Sequence, residues 1–215
     1  MCKTLTGQND CTYGAQARAC GTIGAAVNSL SHKPEPLWQP LYRYRQAELP
    51  TPTRQWLLDQ GSLTDHLIRA SCGQFRVQRL SQRWLVPNIS EQRLLSMQQR
   101  QIALIREVVL LCHDTPWVFA RSVIPLATLQ GPLRFLRQLQ SQSLGSLLFR
   151  HSNLGRSPFE LAKITKQNSY LPSDLETEQA AWGRRSRFTV SQHHLLVSEV
   201  FLPDFQPWPQ RKYSV

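Results

Sequence analysis

Long apolar runs are missing from this 215-residue sequence, and none approaches the roughly 18–20 residues that a membrane-spanning helix needs. Nor does the chain open with a charged segment followed by an apolar one, so export by a signal peptide is not expected. The five cysteines, Cys2, Cys11, Cys20, Cys72 and Cys112, form an odd set without a CxxC pair. That pattern disfavours a disulfide framework or a zinc site and fits reduced thiols in the cytoplasm. The six histidines show neither HExxH nor paired metal spacing, and the neighbours His193 and His194 would point to opposite faces of a strand. No GxSxG elbow, P-loop or GxGxxG fingerprint is present. Cys112, at the end of an apolar run, reads as a small core residue rather than a nucleophile.

Acidic residues are also scarce. Fourteen Asp and Glu stand against 25 Lys and Arg, a formal charge of +11. Such a balance suits nucleic acid, an anionic membrane surface, or a small anionic ligand drawn in by a positive field. Most of the basic residues are scattered between Arg43 and Lys212, and only Arg184, Arg185 and Arg187 form a dense group. Trp182 beside them is able to stack on a base, although a tryptophan anchoring a sheet edge is commoner. No nucleic-acid motif accompanies the group, so no nucleic-acid partner is expected. With 41% hydrophobic residues, the chain has enough apolar material for the core of one domain.

Residues 1–36 are rich in Gly, Ala, Thr, Ser and Asn and end in Lys33-Pro34-Glu35-Pro36. They read as a flexible extension of a domain over 37–205, with a Pro-rich tail at 206–215. The pattern predicts a helix over 53–58 and another opening at Ser62-Leu63-Thr64-Asp65, where Ser-x-x-acid spacing marks an N-cap. Strands are predicted at 75–80 and 84–86 around a polar turn. The run 102–111 is apolar on both faces except for Arg106 and Glu107, as in a strand covered on both sides. A turn at His113-Asp114-Thr115-Pro116 returns the chain over 117–124 as a hairpin partner. Segments 133–139 and 144–149, around a Gln/Ser turn, read as a helix-turn-helix insertion. A short helix is expected over 159–164, a surface loop over 168–179, and the last strands over 187–190 and 195–202.

Three strands thus place a charge in an apolar set: Arg106, Arg121 beside Trp117, Phe119 and Val123, and Glu199 beside Leu195, Val197 and Phe201. A carboxylate on an apolar face needs a partner or a task. For Glu199 alone, an edge strand with that face in water is an equally good account. For the three together, a buried salt bridge weighs equally with a pocket for a ligand carrying carboxylates and one hydroxyl. In the pocket, arginine would grip carboxylates through forked hydrogen bonds, and the glutamate would accept or shuttle a hydroxyl proton.

In order along the chain, several segments resemble the chorismate pyruvate-lyase family. They are Trp56-Leu57-Leu58 with Ser62-Leu63-Thr64, the run LIREVVLLC from Leu104 to Cys112, Pro116-Trp117, and Ala120-Arg121-Ser122-Val123-Ile124-Pro125. Thr128-Leu129-Gln130-Gly131-Pro132, Leu144-Gly145, Leu148-Phe149, Trp182-Gly183-Arg184-Arg185-Ser186-Arg187 and Glu199-Val200-Phe201-Leu202-Pro203 continue it. The likeness spans about residues 37–205. Leu63 stands where the family commonly has methionine, and the polar stretch at 166–179 is longer than expected.

The resemblance implies an α+β fold, a single antiparallel β-sheet with helical flaps of helix-turn-helix form closing over an internal ligand pocket. It implies that Arg106 binds a ring carboxylate, that backbone groups of Leu63 and Leu144 on the two flaps complete that site, and that Glu199 meets the ring hydroxyl. Arg121 is the candidate for the enolpyruvyl carboxylate. The implied reaction converts chorismate to 4-hydroxybenzoate and pyruvate, with no metal or organic cofactor, on the way to a quinone such as ubiquinone or plastoquinone. A monomer is expected. A function of another class, a non-catalytic carrier of a hydroxybenzoate-type acid, would use the same Arg and Glu.

Overall fold

The computed structural model describes residues 33–131, 133–151 and 153–207. Most of the expected extension, up to position 32, and the end of the expected tail lie outside the described residues. Eight strands form one antiparallel sheet: β1 (Gln39–Pro40), β2 (Phe75–Leu85), β3 (Ala103–Cys112), β4 (Thr115–Pro125), β5 (Leu154–Arg156), β6 (Glu160–Ile164), β7 (Ala181–Val190) and β8 (His193–Phe201). Their order is β1-β6-β7-β8-β4-β3-β2, with β5 pairing the carboxy-terminal end of β7. The helices are few and short: α1 (Arg54–Leu58), α2 (Leu63–Ala70), α3 (Ile89–Leu94) and α4 (Leu144–Leu148). The architecture is α+β, and no helix among the described residues is long and apolar enough to cross a membrane.

Local chemistry accounts for the joints. The β3–β4 hairpin turns through His113 (φ 52°) and Asp114 (φ 59°), and β7–β8 through Ser191 (φ 46°) and Gln192 (φ 69°). Two successive left-handed residues give the mirror-image turn whose twist matches that of paired strands. The Ser62 hydroxyl accepts the Asp65 N–H at 3.3 Å and so caps α2, as the spacing predicts.

Four expectations are corrected. The expected helix over 159–164 is instead strand β6 from Glu160 to Ile164: Leu161 packs with one cluster and Ala162 and Ile164 with another, a two-sided burial that a short apolar run does not reveal. The two short strands around 75–86 are one 11-residue edge strand, β2, with an irregularity between Arg79 and Ser81. Its polar middle is the water-facing side of an edge. Strand β7 begins at Ala181 rather than 187, so the arginine group lies inside the sheet. Residues 33–36 belong to the folded part: Lys33 pairs with Glu176 at 2.6 Å, and the Glu35 carboxylate accepts N–H groups of Ile89 and Ser90 at the start of α3.

Strand register sorts the side chains between the two faces, because directly opposite residues share one. Arg106 pairs with Ser122, Ser122 with Val197, and Val197 with Ser186; beside them Val108 pairs with Ala120, Ala120 with Glu199, and Glu199 with Arg184. Helices α1, α2 and α4 cover this face through two apolar clusters. One joins Leu57, Leu63 and Leu67 to Val108, Leu110 and Phe201; the other joins Leu136, Leu144 and Leu148 to Leu104, Phe188 and Leu195.

Arg121 sits on the other face, with Phe119 and Val123, and does not share one with Arg106 and Glu199. Its guanidinium donates to both oxygens of Glu91 on α3, at 2.8 and 3.2 Å, and to Glu107 at 2.6 Å. Trp117 parts from Arg121 because a pairing irregularity between Leu110 and Leu111 turns it into the cluster of Leu110 and Val118. Glu91 is fully buried, so stripping its cation leaves an uncompensated charge. Arg121→Ala should lower the unfolding free energy by about 3–5 kcal/mol in urea denaturation. Unchanged stability with weakened ligand binding would instead place Arg121 in a binding site.

Candidate functional site

Between the two apolar clusters on the helix-covered face lies a cavity. Its floor is Arg106, Val108, Ala120, Ser122, Val197 and Glu199 from three neighbouring strands, and its roof includes Leu63, Thr64, Ser143 and Leu144 from the starts of α2 and α4. About 30 Å³ is open inside it, room for about two waters but not for a ring. The flaps must therefore part to admit anything the size of a ring. A larger open groove of about 980 Å³ runs along Trp56, His66, Cys72 and Trp117, and it contains none of the residues predicted for the site.

Arg106 is 2% exposed. Its Nη2 donates to the carbonyls of Gln140 and Gln142 at 2.9 and 2.7 Å, while its Nε is buried with no hydrogen-bond partner. It forms no ion pair with any described residue. Burial, then repulsion from Arg79, pulls its pKa down to about 10, so it stays charged at neutral pH. A desolvated guanidinium with an unused N–H and no counter-ion has the chemistry to accept an anion.

Glu199 stands at the other end of the cavity. Its Oε2 accepts the Nε–H of Arg184 at 2.6 Å, and its Oε1 accepts no hydrogen bond from the described residues. Arg184, 1% exposed, also donates through Nη1 to the carbonyls of Trp56 and Asp59, tying the end of α1 to the sheet. The salt bridge weighed from sequence thus exists, but the partner of Glu199 is Arg184, not Arg106 or Arg121. Arg106 and Glu199 lie two strand spacings apart and are offset by one residue pair, which separates their Cα atoms by roughly 12 Å. Both side chains line the same cavity.

The remaining arginines of the dense group are consumed inside the fold. Arg185 is nearly buried on the opposite face, where it donates to Glu160 and to the Ser90 hydroxyl at 2.8 Å each. Arg187 is half-buried and reaches the Leu94 carbonyl at 3.4 Å. No basic patch for nucleic acid survives there. Among the described residues, no three His, Cys, Asp or Glu side chains gather to hold a metal ion.

The two flaps meet over the cavity. Thr64 Oγ1 and Ser143 Oγ are 2.6 Å apart, and the Ser143 hydroxyl also caps α4 by accepting the Ser146 N–H. A Cβ on Gly145 would lie 3.3 Å from Thr64 Oγ1, so the close approach favours glycine there. Leu63 and Leu144 are buried as the first residues of their helices, where N–H groups have no partner within the helix. Of the predicted residues, the structure brings Arg106, Glu199, Leu63 and Leu144 together and sends Arg121 elsewhere. Sequence reasoning missed the Thr64–Ser143 contact and Arg184. Carrying strand alternation back from Phe188 through Ser186 to Arg184 would have found the latter.

A family model described as chorismate lyase matches residues 35–212. The protein named "Probable chorismate pyruvate-lyase" of Pseudomonas aeruginosa (strain UCBPP-PA14) is 41% identical over 155 residues, covering 72% of this chain and 84% of the relative. That of Aromatoleum aromaticum is 37% identical over 175 residues, covering 79% and 94%. Among solved structures, the C-terminal domain of the histidine utilization repressor from Pseudomonas syringae has a TM-score of 0.48 at 12% identity, covering 64% of this chain and 97% of that one.

The Thr64–Ser143 contact generates a test of flap motion. A hydrogen bond of this kind contributes about 0.5–1.5 kcal/mol, so Thr64→Val should speed amide exchange in residues 144–149 by roughly 2- to 10-fold. Hydrogen–deuterium exchange read by mass spectrometry checks this. Unchanged exchange would show that the flaps are held by apolar packing alone.

Proposed function

We propose that this chain, which belongs to the chorismate lyase family, converts chorismate to 4-hydroxybenzoate and pyruvate inside the cavity between Arg106 and Glu199. The observation that carries this reading is the buried Arg106 guanidinium, which lines the cavity with no counter-ion among the described residues and with a buried N–H that has no hydrogen-bond partner. The ring carboxylate pairs with Arg106 and with the N–H groups of Leu63 and Leu144 at the two helix starts. At the far end, Glu199 Oε1 receives the ring hydroxyl. Held at both ends, the ring is oriented before reaction.

Loss of the C4 proton sends an electron pair into the ring, the C3–oxygen bond breaks, and the ring becomes aromatic. The departing enolate takes a proton at its methylene carbon and leaves as pyruvate. Glu199 is the one carboxylate among the residues lining the cavity, so it is the base available to that proton. Aromatisation supplies much of the driving force. The positive net charge of +11 favours encounter with a dianion. Because the closed cavity encloses the product, flap opening limits its release. The 4-hydroxybenzoate so made is suited to become a quinone head group.

Incubation with chorismate, followed by ultraviolet absorbance, should yield 4-hydroxybenzoate and pyruvate in equal amounts. Tight product binding without turnover would make the protein a carrier instead. Glu199→Gln keeps the shape but cannot take a proton, and in a single turnover it should slow the reaction by roughly 10²–10⁴-fold. A wild-type rate in that variant would mean that Glu199 only orients the hydroxyl.

A further inference from the structure

Chorismate carries two carboxylates, and Arg106 meets only one. Arg121, the candidate for the second, is bound to Glu91 and Glu107 on the opposite face. Arg185 is likewise matched by Glu160, and Arg184 by Glu199.

Arg156 remains. It ends β5, and its register partner is Phe188, which sets it on the cavity face of the sheet. Its guanidinium carbon lies 4.8 Å from the ring centre of Phe188 and 5.9 Å from that of Phe149, both of which line the cavity. Phe159 is closer still, at 4.2 Å. Nε donates to the Ser186 hydroxyl at 2.8 Å and Nη1 to the Gln60 carbonyl at 3.1 Å. Arg156 makes no ion pair with any described residue. Burial dominates its environment and pulls its pKa down to about 10; attraction to Glu199, repulsion from Arg184 and attraction to Asp59 follow. The Asp59 carboxylate, partly exposed, already accepts the Gly61 N–H and sits 3.7 Å from His66.

Around the cavity floor, Arg106, Arg184 and Arg156, with the exposed Arg79 beside Arg106, stand against Glu199, so positive charge is in excess there and an anionic substrate is favoured. Phe149 directly follows α4, so the flap movement that admits a ring also moves the ring lying under Arg156.

We propose that Arg156 receives the enolpyruvyl carboxylate of the substrate, a proposal that rests on the chorismate lyase reading. There it places a cation beside the oxygen on which negative charge develops as the C3–oxygen bond breaks. The product keeps only the ring carboxylate, so Arg156 separates substrate from product and loses its partner when pyruvate departs.

That difference supplies the test. Arg156→Met and Arg156→Lys are compared with the wild-type chain in steady-state turnover of chorismate and in calorimetric titration with 4-hydroxybenzoate. The expected result is a KM for chorismate raised at least about tenfold in Arg156→Met, with the Kd for 4-hydroxybenzoate changed less than about threefold. The lysine variant, which keeps the charge, should recover part of the KM. If KM and Kd rise together, Arg156 acts through Glu199 or the fold, and the proposal is overturned. It is also overturned if neither changes. Should the methionine variant fail to bind product at all, the ratio of KM to Kd in the lysine variant decides. A wild-type chain that binds 4-hydroxybenzoate without turning over chorismate would sink the lyase reading, and this proposal with it.

Discussion

A guanidinium buried without a counter-ion is the constraint around which this fold is arranged. Arg106 sits in the middle of an apolar sheet face and spends one nitrogen on the carbonyls of Gln140 and Gln142 at the base of a flap. Desolvating such a group is expensive unless an anion answers it. The carbonyl dipoles offset part of that cost, and they also tie the lid to the residue that would hold the ligand. Binding and closure are thereby coupled: whatever settles on Arg106 lies directly beneath the loop that Arg106 anchors.

The two faces of the sheet solve the same problem differently. Each has two apolar clusters with a polar seam between them. On the α3 side, Arg121 answers Glu91 and Glu107, and Arg185 answers Glu160, so that seam is closed by the protein itself. On the flap side, only Arg184 and Glu199 answer each other, and positive charge is left over. The first seam is closed by the protein's own ion pairs; the second has positive charge that a ligand would answer under the proposed function. The stability lost at one and the affinity lost at the other are therefore separable properties, although Arg106 and Glu107 are neighbours in one strand.

Much of this was legible in the sequence. Hairpin β3–β4, the Ser62 cap and the placing of Arg106, Arg121 and Glu199 in apolar strands follow from alternation and spacing, whereas the pairing of Arg106 with Glu199 in one site is what the family resemblance implies. Family resemblance added the flaps and the leucines at their tips. What escaped reading has physical causes. The Trp-Gly-Arg-Arg-Ser-Arg run looks like a solvated basic patch because arginine is rarely buried, yet each of its first two arginines has a carboxylate waiting on a neighbouring strand. Arg121 was assigned to the wrong face because alternation is relative: it groups Arg121 with Phe119 and Val123 but does not say which face those residues share with Arg106. Only the register Arg106–Ser122 settles that. Residues 159–164 read as helix from sequence because six residues are too few to show a period.

The central claim is that the Arg106 charge awaits an anion. Calorimetric titration of the wild-type chain with 4-hydroxybenzoate and with 4-hydroxybenzamide, its neutral counterpart of nearly the same shape, tests it most directly. If the ring carboxylate answers Arg106, the benzoate should bind tighter by about 2–4 kcal/mol, roughly 30- to 1000-fold. Equal affinity for the two would contradict the account, because a site that cannot tell a carboxylate from an amide is not organised around an unmatched arginine.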